Sequence, residues 1–240
     1  MGIRSVINRL INPTTFSSEA YVDYLRRKGV EIGKNCHVYQ PKTVSIDVFR
    51  PYLLKIGNNV VICAKTTIIT HDYSHTVICN KYGMNIGDAK PVSIGNNVFI
   101  GIDAMILMGS NIGDNVIIGA KSVVHGDIPS NVVVAGNPAK VICSLEHFYK
   151  KRIELEEECA INNVLLAKSR LGRYPTIQEM GDAFGWLYLP HTEDTISRYP
   201  YFFNLPGKDC SVFKEQFLNS SPKFDSYEQF IEYVERISKK

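Results

Sequence analysis

The chain has 240 residues, a net charge of +3 at pH 7 and six cysteines. That length supports one sizeable domain and a smaller one, the charge is too mild to point to nucleic acid, and no apolar run approaches the roughly 18 residues that a membrane span needs. The cysteines (Cys36, Cys63, Cys79, Cys143, Cys159 and Cys210) show no C-x-x-C spacing, which favours free thiols, a reducing compartment and a cytoplasmic location.

At the N-terminus, Ile3, Val6, Ile7, Leu10 and Ile11 fall at helical spacing, with Arg4 and Arg9 nearby. This reads as a short helix packing on the protein or on a partner subunit; a helix lying on an anionic membrane surface is the alternative. Met1-Gly2 is followed by Val6 where a myristoylation motif requires Ser or Thr. Residues 17–28 are predicted to form a second helix, capped by Ser17 or Ser18 and ended by Gly29. Residues 1–29 are thus an N-terminal helical segment.

From Val30 onward a different beat takes over. Ile94, Ile100, Ile106, Ile112, Ile118 and Val124 recur every sixth residue. That period fits neither an α-helix nor a half-buried strand and marks a solenoid of short repeats. Two residues before each large aliphatic stands a smaller residue: Val92, Val98, Ala104, Ser110, Val116 and Ser122. Residues two apart in a strand face the same side, so each unit sends one large and one small side chain inward. The same phase runs through Ile56, Ile62 and Ile68, with a fragment at Ile32 and Val38. Three such sides close one coil of a parallel β-helix, in which every coil covers its neighbour. Gly33-Lys34-Asn35, Gly57-Asn58-Asn59, Gly95-Asn96-Asn97 and Gly113-Asp114-Asn115 supply Gly and Asn for left-handed corners. Residues 43–53 break phase and predict an irregular side. The beat lapses again after Ile68 and returns at Ile94, so a loop near 71–91 is extruded, and long loops within a compact repeat are often functional.

After Pro138 the composition changes. Residues 145–170 read as a helix, Thr176-x-x-Glu179 and Ser226-x-x-Gln229 as capping boxes, the latter with a helix to about Ser238. Between them, residues 184–206 are rich in aromatics and Pro. The expected domains are 1–29, a β-helix over 30–142 and a mostly helical domain over 143–240.

The units I94-G-N-N-V-F, I100-G-I-D-A-M, I112-G-D-N-V-I and I118-G-A-K-S-V, with the ending A135-G-N-P-A-K-V-I142, resemble the hexapeptide-repeat acyltransferases, in the branch containing galactoside, maltose and virginiamycin acetyltransferases. The resemblance covers about residues 30–142. It implies a left-handed parallel β-helix, a handedness that periodicity alone does not give. It further implies acetyl-coenzyme A as donor, no metal, and a homotrimer with active sites at subunit interfaces.

Acyl transfer to a hydroxyl requires a base, and histidine titrates near neutrality. T70-H-D-Y-S-H75 is similar to the loop start of the sugar and antibiotic O-acetyltransferases, where the matching histidine is the general base. This assigns His71 as the catalytic base, with His75 as fallback and Asp72 as an orienting or acceptor-binding group. The resemblance carries coenzyme binding onto Gly101 and Ile102, whose backbone N–H would meet the thioester oxygen, onto Gly119 and Ala120 beside pantetheine, and onto Lys121 and Lys140 for phosphate. Phe99 stands where many relatives have Trp. His125-Gly126 stands where relatives often carry Thr-Lys. His-Asp-x-x-His is also a formal metal pattern. The expected activity is O-acetylation of a carbohydrate hydroxyl, such as a surface polysaccharide or its precursor, with Trp186, Tyr188 and Tyr201 as candidate sugar-facing aromatics. The alternatives are an N-acetyltransferase of a nucleotide-linked amino sugar, an antibiotic O-acetyltransferase, and a non-catalytic or metal-dependent β-helix protein.

Overall fold

The computed structural model describes residues 10–207 and 210–239. Two compact units divide at Phe148 and Tyr149. The reading of a helix over Ile3–Ile11 falls largely outside the described residues; Leu10 and Ile11 are exposed.

The first unit begins with α1 (Ser18–Lys28). Ser17 Oγ accepts the Ala20 N–H, and Gly29 closes the helix at φ 100°, as expected. Tyr21, Val22 and Leu25 are buried and join the core of the coils.

The coils follow as short strands. β1 (Glu31–Ile32), β2 (His37–Val38) and β3 (Ser45–Ile46) form one turn of the chain, and β4 (Leu54–Ile56), β5 (Val61–Ile62) and β6 (Thr67–Ile68) the next. After the extruded loop come β7 (Val92–Ile94), β8 (Val98–Ile100) and β9 (Met105–Ile106), then β10 (Asn111–Ile112), β11 (Val116–Ile118) and β12 (Val123–Val124). β13 (Asp127–Ile128) and β14 (Val132–Gly136) begin a further turn, and β15 (Ala139–Ser144) folds back antiparallel on β14. From β1 to β14 consecutive strands lie in different sheets, and every third strand pairs in parallel: β1-β4-β7-β10-β13, β2-β5-β8-β11-β14 and β3-β6-β9-β12. We refer to these as the first, second and third faces.

The six-residue beat is the register of these faces. Ile32, Ile56, Ile94, Ile112 and Ile128 are direct partners in series on the first face. Val38, Ile62, Ile100, Ile118 and Val134 do the same on the second. Ile46, Ile68, Ile106 and Val124 do so on the third. The small partners Val92, Val98, Ala104, Ser110, Val116 and Ser122 are all buried.

The corners divide the work between Gly and Asn differently from the sequence expectation. Asn35, Asn59, Asn97 and Asn115 carry the positive φ, together with Lys65, Asp103 and Lys121 at another corner. Gly33, Gly57 and Gly95 are needed for close approach instead: a Cβ on each would lie 2.5–2.6 Å from the carbonyl oxygen of the equivalent glycine one coil on. The Asn side chains also tie the coils, since Asn96 Oδ1 accepts the Asn58 N–H at 2.9 Å and Asn97 Nδ2 donates to Asn115 Oδ1 at 2.8 Å.

The out-of-phase stretch 43–53 contains β3, flanked by short 3-10 turns at Pro41–Thr43 and Pro51–Leu53. The extruded segment leaves after β6 and returns at β7. Its base is zipped by Lys90 N–H to Thr70 O at 3.0 Å and by a bridge between His71 and Ala89. Within it, α2 (His75–Tyr82) has no buried residue.

The helix α3 (Leu145–Leu171) runs from the end of β15. The second unit adds α4 (Gly185–Tyr188), α5 (Glu193–Arg198), α6 (Pro200–Phe203), α7 (Cys210–Leu218) and α8 (Tyr227–Ser238). Its core unites Tyr188, Phe203, Phe217, Phe230 and Val234, with Trp186 packed against it. Tyr188 is 1% exposed, and the Trp186 ring stacks on Phe213 at 5.6 Å. These two aromatics therefore build this unit's interior rather than a sugar platform. The Ser226 box opens α8 as expected. The Thr176 box forms its reciprocal hydrogen bonds with Glu179, yet it opens a single turn, which Gly181 ends at φ 73°.

Candidate active site

His71 stands three residues beyond the inward Ile68, at the edge of the third face. One coil below, Asp47 follows the inward Ile46. Because Ile46 and Ile68 are register partners, the chain places the Asp47 carboxylate beside the Thr70–His71 segment. Asp47 Oδ2 lies 2.6 Å from His71 Nδ1. The same oxygen accepts the Thr70 hydroxyl and, at 3.3 Å, the Thr70 N–H. Oδ1 accepts the Phe49 N–H at 2.8 Å. Burial pushes the Asp47 carboxyl up, but the hydrogen bonds from the Thr70 hydroxyl, the Phe49 N–H and His71 outweigh it and hold the group below the ordinary carboxylate value. The Asp47 side chain is 7% exposed and that of His71 15%.

This arrangement fixes the imidazole. An ionised carboxylate only accepts, so Nδ1 is the donor, and in the neutral ring Nε2 carries the lone pair. Nε2 has no hydrogen-bond partner among the described residues. The ring is held edge-to-face by Tyr73 at 4.8 Å, with Phe49 at 6.3 Å. A cleft of about 330 Å³ opens here, lined by Phe49, Arg50, His71, Tyr73, His75 and Asp88 among others.

The other sequence-predicted loop residues sit differently. Asp72 lines the cleft but takes the Ser74 N–H and hydroxyl at 2.9 and 2.7 Å, a local turn, and makes no hydrogen bond to His71. These Ser74 hydrogen bonds hold the Asp72 carboxyl below its ordinary value. His75 is the first residue of α2; its Nδ1 is buried and meets no hydrogen-bond partner among the described residues. No group of three His, Cys, Asp or Glu residues among the described residues is placed to hold a metal ion.

The predicted coenzyme residues lie elsewhere on the coils. Gly101 and Ile102 follow β8, and Gly119, Ala120 and Lys121 follow β11, so both groups sit where the second face turns into the third. His71 lies past the far end of the third face, and the chain alone does not bring it to them. The Gly101 N–H donates to Ile118 O at 2.9 Å and the Gly119 N–H to Val134 O at 2.8 Å. The Ile102 N–H, by contrast, meets no acceptor among the described residues. A Cβ on Gly101 would lie 2.6 Å from the Ala120 nitrogen, so this corner admits no larger residue. Lys121 pairs with Asp103 at 3.5 Å, Lys140 is exposed on β15 opposite Ala135, and Phe99 is half exposed on the outer side of β8.

Sequence reasoning missed Asp47 and Thr70, which stand behind the imidazole, and Phe49 and Arg50, which line the cleft. The signal that finds them is the register, since pairing Ile46 with Ile68 carries 47–50 up against 70–73.

Known proteins bear on this arrangement at three levels. The family model described as bacterial transferase hexapeptide (six repeats) matches residues 91–126. Among solved structures, a maltose O-acetyltransferase from Clostridium difficile 630 is 33% identical, with 52% of this chain and 75% of that chain covered and a TM-score of 0.38. Galactoside O-acetyltransferase of Escherichia coli (strain K12) is 37% identical over 133 residues, 53% of this chain and 62% of its own length. Protein CapG of Staphylococcus aureus is 42% identical over 134 residues, 55% of this chain and 76% of its own length. Identity of that degree over most of a relative, together with the family model on residues 91–126, shows that the chain belongs to the hexapeptide-repeat transferases and is an enzyme of that family.

Proposed function

We propose that this transferase is an acetyl-coenzyme A-dependent O-acetyltransferase acting on a hydroxyl of a carbohydrate, built on a left-handed parallel β-helix and working as a homotrimer in the cytoplasm. The observation that carries this reading is the Asp47–His71 pair, which directs the Nε2 lone pair of the neutral ring to the cleft. His71 takes the proton of the acceptor hydroxyl as that oxygen attacks the thioester carbonyl. Asp47 keeps the proton on Nδ1 and stabilises the imidazolium that forms. The Ile102 N–H offers a donor for the developing oxyanion. On collapse the C–S bond breaks, and the imidazolium returns its proton to the departing thiolate.

The trimer is supported by the separation of the two residue sets. His71 at one edge of the third face and Gly101–Ile102 at the other complete one site only if His71 of one protomer meets the coenzyme corner of the next. Lys121 and Lys140 suit the coenzyme phosphates as point charges. A carbohydrate acceptor is supported by the name of the Escherichia coli relative and by the exposed Phe49 and Tyr73 rings at the cleft, since aromatic faces suit sugar rings. A cytoplasmic location is consistent with six cysteines, none of which forms a disulfide.

The test is thiol release from acetyl-coenzyme A with a panel of sugars, for the native enzyme and His71→Ala. Turnover on a sugar that falls by about 10²-fold or more in the variant supports the reading. A variant within about tenfold of the native rate overturns the base assignment.

A further inference from the structure

The cleft contains several charged groups, and the acidic ones are satisfied within the chain. Asp47 is bound by Thr70, His71 and the Phe49 N–H. Asp72 holds Ser74, and Asp88 pairs with Lys90 at 2.8 Å. Arg50 differs. Its guanidinium lies 5.1 Å from the centre of the Phe49 ring, and among the described residues it forms no ion pair. Phe49 itself is 72% exposed.

Resting on the carbohydrate-transferase reading above, we propose that Arg50 is a specificity-determining residue that pairs with an anionic oxygen group, carboxylate or phosphate, carried by the sugar acceptor. A guanidinium is planar and presents its N–H donors in a fork around its edge. Its position over the Phe49 ring restrains its direction while its N–H donors pair with no carboxylate among the described residues. The fork then takes two oxygens of one anionic group at once, while the outer part of the Phe49 ring covers an apolar sugar face. The remaining charges restrict where the anion sits. Asp72 and Asp88 repel it along the loop side of the cleft, where Lys90 is one cation against two carboxylates. The place left for negative charge is the side formed by Phe49 and Arg50, on the coil below His71. An acceptor anchored there by its acid presents a neighbouring hydroxyl to Nε2, and a neutral acceptor lacks the anchor.

The experiment compares matched acceptors. A glucuronate oligosaccharide against its glucose counterpart forms the carboxylate arm, and a sugar 1-phosphate against the methyl glycoside forms the phosphate arm. Native protein, Arg50→Gln and Arg50→Lys are assayed for acetyl transfer, and binding of each acceptor without acetyl-coenzyme A is measured by calorimetry. The expected result is a preference of about tenfold or more for the anionic member in one arm, expressed in KM. Arg50→Gln collapses that preference to within about threefold, and Arg50→Lys, with its point charge, retains part of it. No preference in either arm of the native enzyme overturns the proposal, as does an Arg50→Gln variant that loses activity on both members of a pair alike. The two readings fail separately. Arg50-dependent binding of the acidic sugar without any acetyl transfer sinks the transferase reading alone; transfer to acidic and neutral sugars alike, in native and variant enzymes, sinks the Arg50 assignment alone.

Discussion

Asp47 Oδ2 and His71 Nδ1 lie 2.6 Å apart although the two residues stand 24 positions apart in the chain. The contact sets which imidazole nitrogen serves as the proposed base. Asp47→Asn preserves shape but removes the obligate acceptor, so the ring is free to adopt the wrong tautomer. The expected result is a fall in kcat of about 10- to 10³-fold with acceptor KM changed far less. Steady-state kinetics checks this, and a variant that raises KM alone would place Asp47 in binding instead.

The same carboxylate makes acid stability depend on the cleft. Its folded value is held below the ordinary value of 3.8. Asp47 therefore contributes stability above the ordinary carboxylate range, and that contribution is lost as pH falls through the lower folded value. The stability difference between native protein and Asp47→Asn should shrink steadily below about pH 4. Urea midpoints at stepped pH values read it; a gap that widens on acidification would contradict the assignment.

Ile100 is fully buried between its register partners Ile62 and Ile118. Neighbouring coils cannot collapse into the space its side chain fills without breaking their hydrogen bonds. Ile100→Ala is expected to cost about 2–5 kcal/mol in chemical denaturation.

Gly95 and Gly126 separate two uses of glycine. A Cβ on Gly95 would lie 2.5 Å from Asp114 Oδ1 and 2.6 Å from Gly113 O, whereas one on Gly126 meets nothing within 4 Å and suffers only from φ 76°. Gly126→Ala should cost about 1 kcal/mol, and Gly95→Ala distinctly more because two coils must part. Equal melting temperatures for the two variants would show that the coil spacing yields more easily than this geometry implies.

Trimer formation is checked by light scattering, with an expected mass three times the 27.0 kDa of the chain. A monomer with full activity would require His71 and the Ile102 corner to act in separate roles.

Much of the coil architecture was legible because its periodicity is carried by single residues. Ile94 through Val124 announce every inward position, and each proved to be a register partner of the residue one coil away. The imidazole proposed as base was visible for a related reason, since the break in the beat marks where the chain leaves the stack. Asp47 was not visible. It lies in the stretch where Pro41 and Pro51 turns throw the repeat out of phase, so nothing local tells which rung it occupies. Arg50 and Phe49 were lost with it. Trp186 and Tyr188 invited a sugar-facing role on composition alone, and only packing reveals that they fill an interior. The corner glycines show a similar limit: a sequence displays glycine, but not whether freedom of φ or lack of a Cβ is the property in use.

The zipped base of the extruded segment makes cleft and frame separable. Thr70 and Lys90 are hydrogen-bonded to each other where the chain departs and rejoins, so whatever follows His71 up to Lys90 can be rewritten without shifting a single rung. A designer seeking a new acceptor can transplant that excursion whole and leave Asp47, anchored from below, to aim the histidine as before.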